Sequence, residues 1–133
     1  MAADRVHWGK RFGLMALGAV AGIMLTVSFF IVAAWPQSTL VHSENQPLTV
    51  RYQDGRAHHL GLYRERTLLY GESYHLVVGS DPSLSYGHRV DINATVGGGF
   101  GVRATEWTAA GLRIRFTTGH DLFVPAAMFI GGR

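Results

Sequence analysis

Histidine is the residue type of this chain with the widest chemistry, because imidazole binds metals and exchanges protons near neutral pH. His58 and His59 are adjacent, and His75, His88 and His120 are the candidate partner ligands elsewhere in the chain. Neighbouring residues of a strand point to opposite faces, and the ligand spacings typical of zinc sites are missing. We therefore predict no metal site, and we expect these histidines at the surface or at an interface.

Segment 80–88, SDPSLSYGH, contains the side-chain types of a serine hydrolase. A nucleophilic serine needs a strained elbow, typically G-x-S-x-G, and the sequence has no such motif. Serine and Asp-Pro are also ordinary turn formers. We therefore interpret the segment as a turn.

Three further patterns could carry chemistry. The glycine-rich segment 95–101 lacks the spacing of phosphate-binding loops, and it is interpreted as a loop or as a strand with close backbone contact. Glu65 and Glu72 cannot be assigned as a carboxylate pair, and segment 64–66 is interpreted as a solvated turn. Segment 93–95 is a glycosylation sequon, which matters only in a eukaryotic secretory pathway. We predict that the protein is not an enzyme and needs no cofactor.

Composition excludes several classes of function. The absence of cysteine excludes disulfides, thiolate metal sites and cysteine nucleophiles. The net charge is +3, but beyond residue 35 nine arginines alternate with eight acidic residues. Nucleic-acid binders concentrate positive charge on one face, so we expect no nucleic-acid partner. Eleven arginines against one lysine indicate the codon bias of a GC-rich genome, as in many bacteria.

The longest element is residues 12–35, which contain no charged side chain. A backbone in hydrocarbon must satisfy its own hydrogen bonds, so this stretch is predicted to be a transmembrane helix. Its length of about 36 Å exceeds a hydrocarbon core of about 30 Å. The alternative is a signal peptide cleaved before Trp35, but the apolar region of signal peptides is typically only about 7–15 residues long. We favour a retained signal anchor.

Basic residues set the expected orientation. Residues 1–11 form a predicted cytoplasmic basic tail, in which Lys10 and Arg11 directly precede the span. Positive charge stays in the cytoplasm, so we predict that the C-terminal domain is extracytoplasmic and that the protein lies in the cell (inner or plasma) membrane. Trp8 and Trp35 flank the span, and with Lys10 and Arg11 they are predicted membrane-interface anchors in contact with the lipid bilayer.

Small side chains recur every four residues within the span, at Gly18, Gly22 and Thr26. Such a stripe lets another helix approach closely, so it is a candidate helix–helix interface with a membrane protein or with a second copy. The alternative is chance, because the segment is rich in glycine and alanine. A single span without an ionisable group is not expected to form a pore or a pump.

Beyond the span, residues 36–47 are predicted to be a linker and residues 48–133 a β domain. Alternation predicts a strand over 48–53, followed by a hairpin turn at Asp54-Gly55 and a bulge near His58-His59. Further strands are predicted within residues 67–78 and 88–96.

The residue pattern in the last third of the chain predicts a three-stranded antiparallel meander. A loop at 108–111 aligns three pairs: Trp107 with Leu112, Thr105 with Ile114, and Arg103 with Phe116. A second turn at Gly119-His120 then sets Phe116 opposite Phe123. One face of this meander is predicted to carry Trp107, Leu112, Ile114, Phe116 and Phe123.

Together these patterns predict a mainly β protein, with one N-terminal transmembrane α-helix followed by a small antiparallel β-sandwich or barrel-like domain. The leading hypothesis is a single-pass membrane-anchored protein that acts through protein–protein interaction, as an accessory subunit of a membrane complex. The alternative is an extracytoplasmic ligand-binding or sensing module. Its pocket would be lined by histidines and by aromatic residues that otherwise pack in the core, namely Tyr52, Tyr63, Tyr70, Tyr74, Tyr86 and Trp107.

Overall fold

The computed structural model describes residues 3–92 and 99–131, with side chains from residue 11 onward. Its elements are α1 (Ala3–Ala34), β1 (Gln37–Asn45), β2 (His59–Thr67), β3 (Gly71–Gly79), β4 (His88–Ile92), β5 (Val102–Thr108), β6 (Gly111–Phe116), β7 (Asp121–Pro125) and α2 (Ala126–Phe129). They divide into two compact units, one of α1 with the turn Thr67–Tyr70, the other of the β-rich remainder. The sequon at 93–95 and glycines 97 and 98 lie outside the described residues.

Helix α1 is longer than the span predicted from sequence. It begins at Ala3, so most of the predicted tail is helical. Residues 3–11 contain no proline, and extending an existing helix costs much less free energy than starting one. Residues Arg11–Ala34, with a mean hydropathy of 2.3, are long and apolar enough to cross a membrane. The side chains of residues 11–32 are all exposed.

The turn Thr67–Tyr70 completes the first unit. The Tyr70 N–H donates to Thr67 Oγ1 over 3.0 Å, which closes the turn. The Leu68 N–H donates to the carbonyl of Ala33 over 3.1 Å. Ala33 is also buried, unlike residues 11–32 of the same helix.

Strands β1 to β4 form an antiparallel sheet in the order β1-β2-β3-β4. Strand β1 pairs with β2 from Gln37 opposite Arg66 to Asn45 opposite His59. The structure thus differs from the predicted linker at 36–47, most of which is a strand. The polar composition that suggested a linker suits an edge strand. Among the described strands β1 pairs only with β2, and its side chains are largely exposed.

The segment between β1 and β2 is a loop, where the sequence predicted a strand at 48–53 and a hairpin at Asp54-Gly55. The Val50 N–H donates to the carbonyl of Pro47, and the Gly55 N–H donates to that of Tyr52, so two successive turns replace the strand. Pro47 cannot donate a ladder hydrogen bond, which disfavours a strand beginning there. The loop nevertheless keeps one feature of the predicted strand, because Tyr52, an apolar position of the predicted alternation over 48–53, is buried in the core.

The bounds of strands β2 and β3 show that two further predictions are wrong. Residues 64–66, interpreted as a solvated turn, belong to β2. The predicted strand region 67–78 is divided, because residues 68–70 form a turn and β3 begins at Gly71. Within 88–96, strand β4 covers His88–Ile92.

Strands β5 to β7 form a second antiparallel sheet. The predicted pairing of Trp107 with Leu112 and of Thr105 with Ile114 is confirmed. Phe116 pairs with Val102, because the register shifts between Val102 and Ala104, so the predicted pairing with Arg103 is wrong.

The predicted position of Phe123 is also wrong. Phe123 lies opposite Arg113, and it is 46% exposed. The β6–β7 turn occupies residues 117–120, and the Phe116 N–H donates to the carbonyl of His120. This turn is longer than the predicted one and shifts the register by an odd number of residues, which moves Phe123 to the other face.

One hydrophobic cluster draws side chains from both sheets and from α2: Tyr52, Leu60, Leu62, Tyr74, Leu76, Val78, Phe100, Trp107, Leu112, Ile114, Phe116, Val124, Ala126 and Phe129. Full burial of one large apolar side chain contributes about 1.5–3 kcal/mol. The described strands form two separate antiparallel sheets and no closed barrel. The mainly β prediction is therefore confirmed, and the barrel-like alternative is wrong.

Candidate functional site

The strongest concentration of polar chemistry lies on the face of the β1–β4 sheet opposite the hydrophobic cluster. Side chains alternate along a strand, so Leu62 of β2 and Leu76 of β3 point into the core while their neighbours point outward. The outward positions include Tyr63 and Glu65 on β2 and His75 on β3. With Arg89 of β4 and the loop after β3, these side chains line a groove of about 450 Å³, which we call the Glu65 groove.

An acidic side chain organises the loop that forms one wall of this groove. Asp81 accepts hydrogen bonds from the Ser83 N–H at 3.0 Å, the Ser83 hydroxyl at 2.6 Å and the Ser85 N–H at 3.0 Å. These bonds hold the pKa of the Asp81 carboxyl below its usual value. The interpretation of segment 80–88 as a turn is confirmed for the residues before His88, where β4 begins, because Asp81 binds Ser83 and Ser85 within this loop.

Leu84 closes the groove against the sheet. Its φ is 56°, in the left-handed region that costs a non-glycine residue about 1–2 kcal/mol. Its side chain is buried, and a Cβ built at Gly61 would lie 2.5 Å from Leu84 Cδ1. Gly61 therefore provides the space that Leu84 fills, and burial of the leucine offsets the backbone strain.

Glu65 is the centre of a charged network in the groove. Its Oε1 lies 3.3 Å from Nδ1 of His75 and 3.4 Å from Nη2 of Arg89. Arg89 also donates through Nε to Asp91 at 2.8 Å. The Tyr63 ring stacks on the imidazole of His75, with ring centres 5.1 Å apart and planes 8° from parallel. The network presents a carboxylate, a guanidinium and an imidazole within one concave surface.

Burial sets the protonation of His75. Desolvation lowers the pKa of His75, Arg89 lowers it further, and the carboxylates of Glu65 and Asp91 oppose both effects. His75 is therefore mainly neutral near pH 7 despite its acidic neighbour, because the net pKa lies below the ordinary value of about 6.5. The hydrogen bond to Asp91 raises the pKa of Arg89, which stays charged.

This arrangement is suited to binding polar groups. A neutral imidazole and a guanidinium can donate, and the Glu65 carboxylate can accept, so a ligand bearing both charges would find partners. Among the described residues, no hydroxyl is hydrogen-bonded to His75, and the serines of the wall are bonded to Asp81 and to each other. A larger hollow, about 530 Å³, lies along residues 46–57, but it holds no comparable charged network.

The predicted histidine pair is divided between two environments. His58 is fully buried, with Nε2 at 3.1 Å from Asp54 and its ring at 5.2 Å from both Tyr52 and Phe129. His59 instead contacts Asn45, at 2.8 Å. The expectation that the two point to opposite faces is confirmed, but His58 lies in the core and not at the surface. Within residues 11–92 and 99–131, no three potential ligands are placed to hold a metal ion.

The predicted helix and interface residues all lie in or beside α1. The Thr26 hydroxyl donates to the carbonyl of Gly22 over 2.8 Å, and a Cβ added at Gly18 or Gly22 would meet no atom within 4 Å. Trp35 directly follows the helix and is exposed, and Arg11 begins the apolar segment. Of Trp8 and Lys10 only the backbone, which is helical, is described.

Sequence reasoning missed two residues of the groove. Arg89 was not singled out, and Glu65 was assigned to a solvated turn. The alternation of Leu60 and Leu62 with Tyr63 and Glu65 was the signal that could have placed Glu65 on a strand. Tyr52, Tyr74 and Trp107 pack in the core, whereas Tyr63 and Tyr86 line the groove.

Comparisons of the chain with protein-family models, with curated proteins and with solved structures found no match.

Proposed function

We propose that the protein is a single-pass membrane anchor carrying an extracytoplasmic β domain, and that it acts by contact with another membrane protein. The observation that carries this proposal is the exposed apolar surface of α1, on which the side chains of residues 11–32 are all exposed. A surface of that size is not stable in water and requires lipid or another protein to cover it. The basic residues before it support a cytoplasmic N-terminus.

The role as an accessory subunit is supported by what the described residues offer. They provide a charged groove and a helix with a small-residue face, and no serine of the groove wall is paired with a base. Such a chain contributes binding surfaces to an assembly.

The test is purification of the tagged full-length protein from its native membrane in mild detergent, followed by mass spectrometry. A stoichiometric protein that accompanies it reproducibly is the expected result. Recovery of the protein alone, or only as a homodimer, would contradict the accessory role. A C-terminal reporter that is active only outside the cytoplasm tests the orientation, and cytoplasmic activity would overturn it.

A second function, binding of a small polar ligand, is favoured by one observation. The Glu65 groove brings opposite charges and a neutral imidazole into a volume of about 450 Å³, which is within the range of small-molecule sites. A zwitterionic ligand at saturating concentration should raise the melting temperature of the wild-type protein. The same ligand should have no effect on Glu65→Gln, and equal shifts in both proteins would remove the groove as the site.

A further inference from the structure

The turn that joins β2 and β3 is unusually apolar for an exposed turn. Leu68 is 84% exposed, Tyr70 is 81% exposed, and Leu69 between them is partly exposed. Turns in water are normally built from glycine, proline, asparagine, aspartate and serine. No charged residue occurs from Thr67 to Gly71, so three consecutive large apolar side chains form the tip.

The hydrogen bond from this turn to α1 fixes the position of the turn along the helix axis. The Leu68 N–H donates to the carbonyl of Ala33, in the last turn of the helix. Helical residues rise about 1.5 Å each, so Ala33 lies only about 3 Å along the axis from Trp35, where the apolar segment ends. The tip is therefore level with the end of the apolar surface, and Trp35 there is also exposed.

Charged residues begin immediately beyond the tip. Arg66 on β2 and Glu72 on β3 lie 3.7 Å apart across the hairpin, and the Arg66 side chain is largely exposed. The chain thus changes from apolar to charged within two residues on each side of the tip. This order of groups matches the layers of a bilayer surface. Leucine side chains suit the hydrocarbon, tyrosine and tryptophan rings prefer the headgroup level, and charged side chains lie in water.

We propose that the turn Thr67–Tyr70 inserts, together with Trp35, into the interface of the bilayer that α1 crosses, with lipid as the ligand of this surface. The inference rests on the proposed membrane anchoring and adds a second contact to it. Lipid is the occupant that fits, because the tip is continuous with the exposed apolar helix through the Leu68–Ala33 hydrogen bond.

Site-specific fluorescence tests this inference on the full-length chain. The native sequence has no cysteine, so Leu68→Cys and Ser28→Cys each provide a single labelling position. Both are labelled with an environment-sensitive fluorophore and reconstituted into vesicles of phosphatidylcholine and phosphatidylglycerol. Quenching is measured with lipids that carry a nitroxide near the headgroup or near the chain end, and with aqueous iodide. Circular dichroism confirms that both variants are folded, and free dye in buffer is the water reference.

The expected result is lipid quenching at both positions, strongest near the headgroup for Leu68 and near the chain end for Ser28, with iodide protection at both. Lipid quenching at Ser28 with an aqueous signal at Leu68 would overturn the inference while leaving the anchor intact. An aqueous signal at Ser28 would instead overturn the membrane anchor, and with it the inference as stated.

Discussion

His75 combines burial with a charged network, and its protonation links pH to stability. In the unfolded chain its pKa has the ordinary value of about 6.5, and folding lowers it. The unfolded state therefore binds more protons between the two pKa values. The stabilisation from a neutral His75 is complete above about pH 6.5 and is lost as pH falls through the folded pKa.

We predict that the melting temperature of the wild-type protein decreases on acidification from pH 7 to pH 5, and that His75→Gln weakens this decrease. Glutamine keeps a polar side chain but cannot take up a proton. His120→Gln, at an exposed position of the β6–β7 turn, is the matched control and should retain the wild-type pH dependence. If the melting temperatures of His75→Gln and the wild type fell equally with pH, His75 would not be the group that links pH to stability.

Gly61 and Leu84 form a second residue-scale pair. We predict that Gly61→Ala destabilises the protein by about 1–3 kcal/mol, the usual cost of overpacking, because its new Cβ would lie within 2.5 Å of Leu84 and 3.1 Å of Tyr63. Denaturant unfolding measures the change. Gly101→Ala is the control, since its Cβ meets nothing closer than 3.8 Å, and we expect a change within about 0.5 kcal/mol.

The coupling of the two residues provides a sharper check. In the double variant Gly61→Ala/Leu84→Ala, the closest clash, with Leu84 Cδ1, is absent, so the combined loss should be smaller than the sum of the two single losses. Additive losses of unfolding free energy would mean that the packing of Leu84 does not require a glycine at position 61.

At the level of secondary-structure elements, the register of β7 against β6 determines that Phe116, and not Phe123, packs in the core. Phe116 is buried in the shared cluster, whereas Phe123 points to the other face of the same sheet. We predict that Phe116→Ala costs about 3–5 kcal/mol of unfolding free energy and Phe123→Ala less than about 1 kcal/mol. Denaturant unfolding of both variants compares them directly, and equal costs would contradict the observed register.

Helix α1 carries the other element-scale prediction. Small residues spaced four apart favour close helix packing in lipid, so Gly22→Leu should reduce copurification with the partner or with a second copy. Gly13→Leu is the matched control, because nine residues at about 100° each place Gly13 on the opposite face. A Cβ at either glycine would meet no atom within 4 Å, so neither substitution disturbs the helix itself. Equal copurification of both variants would remove this face as an interface.

For the whole molecule, no α1 residue whose side chain the structure describes belongs to the hydrophobic cluster. We therefore predict that residues 36–133 fold cooperatively without the helix, as measured by circular dichroism during heating. A matched fragment that begins at Gln46 lacks β1 and its pairing with β2. A loss of about 2 kcal/mol in that fragment would lower its melting temperature by roughly 8–16 °C. Equal melting temperatures would show that residues 37–45 act as a linker after all.

The sequence by itself determined what depends on local pattern. The uncharged stretch 12–35 specifies an apolar helix, and the Trp107–Leu112 pairing follows from a short loop between alternating strands. The mainly β composition beyond the helix follows from alternation in the same way.

Only the tertiary structure decided what depends on partners distant in sequence. Residues 37–45 are polar, and they become a strand because β2 supplies hydrogen bonds from residues 14 to 29 positions further along the chain. Phe123 alternates as a core residue would, but the length of the preceding turn sets its face. The Glu65 groove joins side chains of four strands and a loop, and no spacing along the chain encodes their approach. Local preferences act over a few residues, whereas strand neighbours and their register are fixed by the packing of the whole domain.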